Sequence, residues 1–142
     1  MAHQINVFAQ NQPGRLEHMT EVLTEAGVNI RAITISGVGD FGVVKLLADD
    51  PDLAARVLDA QGFSAFKKEI LAAVMDDRPG GLHRIFNILG RAGINVEDAY
   101  GFVVKDRETA VLLMELSAVA EAEQALAAEG VEILGDQELY EL

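Results

Sequence analysis

One motif occurs twice in this chain at a constant offset. The segments PGRLEHMTEVLTEAGVN and PGGLHRIFNILGRAGIN cover residues 13–29 and 79–95, an offset of 66 residues at both ends. A repeat that spans half the chain indicates two copies of one supersecondary unit. We therefore predict two domains, residues 1–68 and residues 69–142.

Each copy is small for an independent hydrophobic core. A domain of about seventy residues buries only roughly 60% of its unfolded surface and is marginally stable alone. Half of the residues are hydrophobic, which is enough for a globular core. We expect the copies to pack together and the chain to form a homodimer or a higher homo-oligomer.

Composition excludes several classes of protein. Because the chain has no cysteine, it has no disulfide framework, thiolate metal site or cysteine nucleophile. The first ten residues lack the features of a signal peptide, and no apolar run approaches the ~20 residues that span a bilayer. The formal net charge of −12 repels phosphate backbones. We expect a soluble cytoplasmic protein that binds neither membrane nor nucleic acid.

Hydrophobic periodicity and turn residues predict the same element order in both copies. The first copy is predicted to have a strand at 5–9, a helix from Pro13 to Gly27, strands at 28–36 and 43–48, a helix opened by Asp50 and Pro51 and ended by Gly62, and a strand near Phe63. The second copy is predicted to have a strand at 70–75, a helix at 79–92, strands at 95–104 and 108–116, a helix capped by Ser117 and ended by Gly130, and a strand at 131–134.

The order β-α-β-β-α-β is that of the split β-α-β, or ferredoxin-like, arrangement. We predict an α+β protein of two tandem domains with antiparallel sheets, joined without a flexible linker because residues 62–79 contain no Gly-, Ser- or Pro-rich stretch. The predicted strand segment Ala110 to Met114 is apolar on both faces, so both of its faces should be covered.

Residues 37–42 match the dinucleotide-binding pattern G-x-G-x-x-G. That pattern requires a helix after it, whereas strand-like residues follow here, and the twin segment Lys105 to Glu108 has no glycine. We therefore predict a hairpin turn. The histidines His3, His18 and His83 lack the spacing of a helical metal site, so we predict no metal, cofactor or catalytic site.

The candidate ligand site lies just before the first helix of each copy. A helix N-terminus offers free N–H groups and a positive dipole end to a carboxylate, and glycine lets a ligand approach the backbone. An Asn or Asp at such a place often only fixes a turn, and that alternative stays open. The candidate ligand-binding residues are Asn11, Pro13, Gly14, Arg15, Leu16, Asn29, Ile30, Asp77, Pro79, Gly80, Gly81, Leu82, Asn95 and Val96.

The second copy is the better candidate for a free amino acid. Gly80 and Gly81 should leave the backbone open, whereas Arg15 should crowd the first site. Asp77 also offers a negative partner to an ammonium group, where the first copy has Asn11.

The pattern N/D-x-P-G-x-L, an amphipathic helix and then A-G-V/I-N-I/V resembles the ACT domain. Both copies carry it, as NQPGRL…AGVNI and DRPGGL…AGINV, so the whole chain resembles a tandem ACT protein with no catalytic domain. ACT domains are regulatory modules that commonly bind amino acids at interfaces between paired domains.

The resemblance implies roles for four of the candidates. In serine-regulated dehydrogenases of the family, two asparagines contact the ligand, and their positions correspond to Asn11 and Asn29 and to Asp77 and Asn95. This chain departs from that pattern at Asp77 and also lacks the family's histidine four residues before the proline. The ligand therefore need not be serine, and the two sites need not be equivalent.

We predict a stand-alone regulatory protein that binds a free amino acid and signals through a change in domain packing. The first alternative is a protein-interaction module with no small-molecule ligand. The second is a small enzyme, since this element order also occurs in catalysts, although the sequence shows no nucleophile or metal constellation.

Overall fold

The computed structural model describes residues 1–104 and 108–142. The chain divides into two compact units. We call His3–Lys68 the N-terminal unit, and Glu69–Leu142 together with Met1–Ala2 the C-terminal unit.

The N-terminal unit has the predicted order of elements. Its core contains apolar residues from two helices and two strands, including Ile5, Met19, Leu46 and Leu58, all fully buried. The helices are amphipathic, so burying their apolar faces against the sheet stabilises both layers. The elements are β1 (Ala2–Gln10), α1 (Arg15–Glu25), β2 (Ile30–Val38), β3 (Phe41–Ala48), α2 (Pro51–Ala60) and the start of β4 (Ser64–Asp76).

The C-terminal unit repeats this plan and adds one helix. Its core again draws on two helices and two strands, with Leu71, Ile85, Leu89 and Met114 buried. The remaining elements are α3 (Gly81–Arg91), β5 (Val96–Val104), β6 (Thr109–Leu116), α4 (Val119–Ala128), β7 (Ile133–Leu134) and α5 (Asp136–Tyr140). The short helix α5 was not predicted.

The strand pairs described within the two units are antiparallel. β3 pairs with β1 on one side and with β2 on the other. β6 pairs with β4 and β5, and β7 pairs with β4. The predicted ferredoxin-like α+β fold is confirmed in both units.

The junction between the copies is a single strand. β4 runs from Ser64 to Asp76 and crosses the division between residues 68 and 69. The last strand predicted for the first copy and the first strand predicted for the second are thus one continuous element, with no irregular linker.

The structure tests the predictions for the glycine-rich segment and for the apolar segment 110–114. The G-x-G-x-x-G segment is a hairpin turn, because β3 and not a helix follows it; residues 105–107 of its twin segment lie outside the described part of the chain. All residues from Ala110 to Met114 are buried, as their apolar pattern predicted.

The prediction that Ser117 caps the second helix of the second copy is wrong. The N-cap of α4 is Ala118. The Ser117 hydroxyl accepts a hydrogen bond from the backbone N–H of Asn95 at 3.2 Å instead, so this side chain ties α4 to the start of β5. Asp50, in contrast, caps α2 as predicted, with its carboxylate 3.0 Å from the N–H of Leu53.

Candidate functional site

Two loops with the same backbone plan precede α1 and α3. We call residues 11–14 the first loop and residues 77–80 the second loop. Each ends in a helix N-cap glycine in the left-handed conformation, with φ 88° at Gly14 and 90° at Gly80. Residues with a Cβ rarely adopt this backbone conformation, so glycine is favoured at both positions. A Cβ at either glycine would meet no atom within 4 Å, which leaves this side of both loops open.

The first turns of α1 and α3 have no side-chain cap among the described residues. Their helical hydrogen bonding starts with His18 N–H to the Gly14 carbonyl and Arg84 N–H to the Gly80 carbonyl, both 3.0 Å. The helix α4 also lacks a side-chain cap, so this feature alone marks no site. It does leave donors at the positive ends of α1 and α3 that can receive a carboxylate.

In the first loop, Asn11 is fixed to the neighbouring hairpin. Its side-chain amide donates to the Gly39 carbonyl at 3.0 Å, and its backbone N–H donates to the Asp40 carbonyl at 2.8 Å. A Cβ at Gly37 would lie 3.0 Å from the amide nitrogen of Asn11, so the hairpin packs closely on this side chain. Asn11 therefore connects the end of β1 to the β2–β3 turn.

In the second loop, Asp77 keeps the backbone link, and its ionised carboxylate has no proton to donate as the Asn11 amide does. Its N–H donates to the Glu108 carbonyl at 3.0 Å. Within the described residues its carboxylate has neither a hydrogen bond nor an ion pair. It lines an open cavity of about 560 Å³ together with Asp76, Arg78, Glu108 and Thr109. Among the described residues, Asp77 thus lacks a side-chain contact of the kind that fixes Asn11.

Arg78 is paired within the same cavity. Its guanidinium lies 3.0 Å from the Asp76 carboxylate, and both side chains are largely exposed. An exposed pair of this kind contributes little to stability. The pair neutralises one carboxylate, so among the described residues that line the cavity the unpaired charges are those of Asp77 and Glu108.

The helix starts themselves differ between the two copies. The Arg15 guanidinium lies over the ring of Phe63, 4.5 Å from its centroid, a cation–π arrangement. Its twin Gly81 is buried, and a Cβ there would be 2.0 Å from the carbonyl oxygen of Asp76. Gly81 therefore allows α3 to pack against the end of β4. It does not open the backbone to a ligand, contrary to our expectation, and only Gly80 does.

The structure does not bring Asn29 to Asn11 within the N-terminal unit. Ile30 pairs with Ala48 at one end of β3, whereas Gln10 pairs with Phe41 at the other. The length of β2 therefore separates the two asparagines, about 25 Å at the usual rise per residue. The register of the C-terminal unit gives the same separation between Asp77 and Asn95, with Val96 beside Asn95 at the far end.

Asn29 and Asn95 have clear local roles. The N–H of Asn29 donates to the Asp49 carboxylate at 2.9 Å, and the N–H of Asp49 donates back to the Asn29 carbonyl at 3.1 Å. Asn95 forms the corresponding pair with Ser117. At both places the start of one strand is joined to the segment that leads into the following helix.

The sequence did not lead us to predict a polar cluster around Tyr100. Tyr100 on β5 is half-buried, and burial raises the pKa of its phenol well above the ordinary value, with the carboxylates of Asp98 and Glu115 adding to the effect. Asp98 and Glu115 are register partners. Alternation along β5 places Tyr100 on their face, a signal that the sequence offered but that is common in exposed strands.

Within the described residues, no group of three His, Asp or Glu side chains is placed to hold a metal ion. None of the helices described is long and apolar enough to cross a bilayer.

Comparisons with known proteins agree with the architecture. The chain is similar to protein BT0572 from Bacteroides thetaiotaomicron, with a TM-score of 0.93, 28% identity and coverage of 99% of this chain and 96% of that one. It is also similar to the regulatory subunits of aspartate kinase from Thermus thermophilus and Thermus flavus. Their TM-scores are 0.65 and 0.60, with 19% and 17% identity. They cover 90% and 89% of this chain and 90% of each subunit, and at these identities the likeness concerns the fold.

A comparison with curated proteins gives no match. The family pattern described as an ACT domain pair, in contrast, matches residues 1–142. The two ferredoxin-like units, each with the same glycine-capped loop before its first helix, agree with that match. The chain therefore belongs to the ACT domain pair family.

Proposed function

We propose that this protein is a regulatory protein, not an enzyme, and that it binds a free amino acid at the second loop. Membership of the ACT domain pair family supports the regulatory role. Two of its structural neighbours are regulatory subunits of aspartate kinase, which also favours a regulatory role.

We choose the second loop over the first because of one difference between Asp77 and Asn11. Among the described residues the Asp77 carboxylate has no partner, whereas the Asn11 side chain is bound to Gly39. An amino acid has a cationic and an anionic group a short distance apart. In our proposal its ammonium group binds Asp77, and its carboxylate receives N–H groups at the positive end of α3, near Gly80 and Leu82.

We propose that Asn29 and Asn95 contact a ligand across an interface between two ACT domains. Each lies at the opposite end of its own sheet from the loop, so it can reach a ligand only from another ACT domain. We propose that a partner chain supplies it. A ligand held between two domains binds one packing of those domains better than another, and this difference in affinity is what shifts their equilibrium.

A thermal-unfolding screen against the common amino acids tests the function. A ligand present at 100 times its dissociation constant stabilises the folded state by about 2.7 kcal/mol, which is readily measured as a rise in Tm. We expect one amino acid, or one chemical class of them, to raise the Tm of the parent protein. A flat screen at millimolar concentrations would contradict the proposal.

The second candidate function is a protein-interaction module without a ligand. It is favoured by apolar side chains at the β2–β3 hairpin, where Val38 is 81% and Phe41 is 67% exposed. Apolar groups grouped on a surface often mark an interaction site. A flat amino-acid screen together with specific binding of a protein partner at this hairpin would favour this function.

A further inference from the structure

A groove between α1 and α2 of the N-terminal unit is separate from the loop site. It encloses about 310 Å³. Apolar residues, two glutamates and the residue that follows α2 line it. They include Val22, Ala26, Val57, Glu21, Glu25 and Gln61.

At the equivalent place in the C-terminal unit, two arginine side chains connect the helices α3 and α4. Between α3 and α4, the Arg91 guanidinium lies 2.9 Å from the Glu129 carboxylate. Arg84 donates a hydrogen bond to the main-chain carbonyl of Glu129. Two guanidinium groups thus bridge the end of α4 to α3.

The N-terminal unit has different residues at these three positions. Counted from the helix boundaries, His18 replaces Arg84, Glu25 replaces Arg91, and Gln61 replaces Glu129. The His18 ring lies beside Phe63, with 5.5 Å between ring centroids. No bridge between α1 and α2 forms at these positions among the described residues, and a negative charge stands where the twin unit has a positive one.

The groove favours a cation. Within the described residues neither Glu21 nor Glu25 has an ion pair or a hydrogen bond from another side chain. The groove also lies along the C-terminal halves of α1 and α2, and neither helix has a basic residue in its last turn. The negative dipole ends of the two helices therefore add to the two carboxylates. The positive charge of Arg15 is at the other end of α1.

We propose that this groove binds an arginine side chain from a basic segment of a partner protein. Its volume suits one long side chain and not a folded element. The alkyl part would lie on Val22, Ala26 and Val57, and the guanidinium would reach Glu21 and Glu25. The net charge of −12 favours a basic partner over an acidic one and speeds its approach. This inference does not depend on amino-acid binding at the second loop.

Fluorescence anisotropy with a short labelled peptide of alanine and two central arginines tests the proposal. A peptide with citrulline in place of arginine has nearly the same shape without the charge, and should bind at least about tenfold more weakly. The double change Glu21→Gln with Glu25→Gln should weaken binding of the arginine peptide by about tenfold. The matched control, Glu97→Gln with Glu121→Gln, removes the same charge from exposed sites of the other unit and should change binding by less than about twofold.

A graft of the twin bridge gives a sharper test. Glu25→Arg with Gln61→Glu reproduces the Arg91–Glu129 pair at the equivalent positions, an arrangement that this fold already accommodates. We expect this variant to keep its Tm and lose peptide binding. The variant Asp77→Ala should bind the peptide normally, which separates this proposal from the amino-acid site.

The proposal is overturned if the graft binds the peptide like the parent, if the control pair loses as much binding as the groove pair, or if the citrulline peptide binds equally well. It is also overturned if free arginine binds as tightly as the peptide, since the groove would then be a small-molecule site.

Discussion

The side-chain amide of Asn11 donates a hydrogen bond to the main-chain carbonyl of Gly39 at 3.0 Å. Its twin Asp77 occupies the same place before the first helix of its copy, yet its carboxylate has no such partner within the described residues. Within the described residues, one sequence position therefore makes a side-chain contact in the N-terminal unit and makes none in the C-terminal unit. This asymmetry separates the effects of mutation on stability from those on ligand affinity.

Asn11→Ala should lower the free energy of unfolding by about 1 kcal/mol, the typical net value of one hydrogen bond. For a chain of this size that corresponds to a fall in Tm of roughly 2–4 °C. Asp77→Ala should change stability by less than about 0.5 kcal/mol because the Asp77 carboxylate makes no contact within the described residues. Calorimetry without ligand measures both, and an equal loss in the two variants would contradict the distinction.

Gly81→Ala should destabilise the C-terminal unit by about 2 kcal/mol or more. The added Cβ would lie 2.0 Å from the Asp76 carbonyl oxygen, so the start of α3 or the end of β4 must shift. Gly90→Ala on the same helix is the matched control. No atom lies within 4 Å of its Cβ, and alanine favours the helix by about 0.5–1 kcal/mol. Urea unfolding should give opposite signs for the two changes, and two equal effects would contradict the packing described for Gly81.

Tyr100 should make the protein sensitive to alkaline pH. Its pKa is raised in the folded state by burial and by Asp98 and Glu115. Its stabilising contribution is therefore complete below about pH 10, where the unfolded phenol begins to ionise, and is lost as the pH rises towards the folded pKa. Between about pH 9 and pH 11 the parent should lose about 1 kcal/mol more than Tyr100→Phe. Urea unfolding at the two pH values measures the difference. If the parent and the variant lose the same amount, the phenol is not held neutral by its surroundings.

We predict that the working form contains more than one chain. The exposed apolar residues Val38 and Phe41 and the contact assigned to Asn95 from another domain both favour assembly. Sedimentation velocity at micromolar concentration should show a particle larger than one chain, and Phe41→Ser should weaken it. A monomer that still binds an amino acid would rule this prediction out.

The repeat made much of the fold predictable. Proline and glycine predicted α1 between Pro13 and Gly27 and α3 between residues 79 and 92, within two residues of the observed bounds, because these residues act through local backbone preferences. Ser117 was misassigned because its hydroxyl can accept from more than one N–H, and only the packed structure selects Asn95. The helix α5 is a single short segment with no periodicity to detect.

The candidate site was less predictable. The sequence identified the two loops, but the different roles of Asn11 and Asp77 depend on the hairpin that packs beside the first loop. The burial of Gly81 depends on the turn between β4 and α3, which places the Asp76 carbonyl beside Gly81. The separation of Asn29 from Asn11 follows from strand register, which a single motif does not specify.

Isothermal titration of the amino acid found in the thermal screen tests the central claim most directly. The parent, Asp77→Ala and Asn11→Ala should be compared under the same conditions. A hydrogen bond to a charged group contributes about 1.5–3 kcal/mol, so Asp77→Ala should weaken binding by roughly tenfold to a hundredfold. Asn11→Ala should bind nearly as tightly as the parent. Equal affinity in all three proteins would show that the second loop is only a turn and would contradict the account.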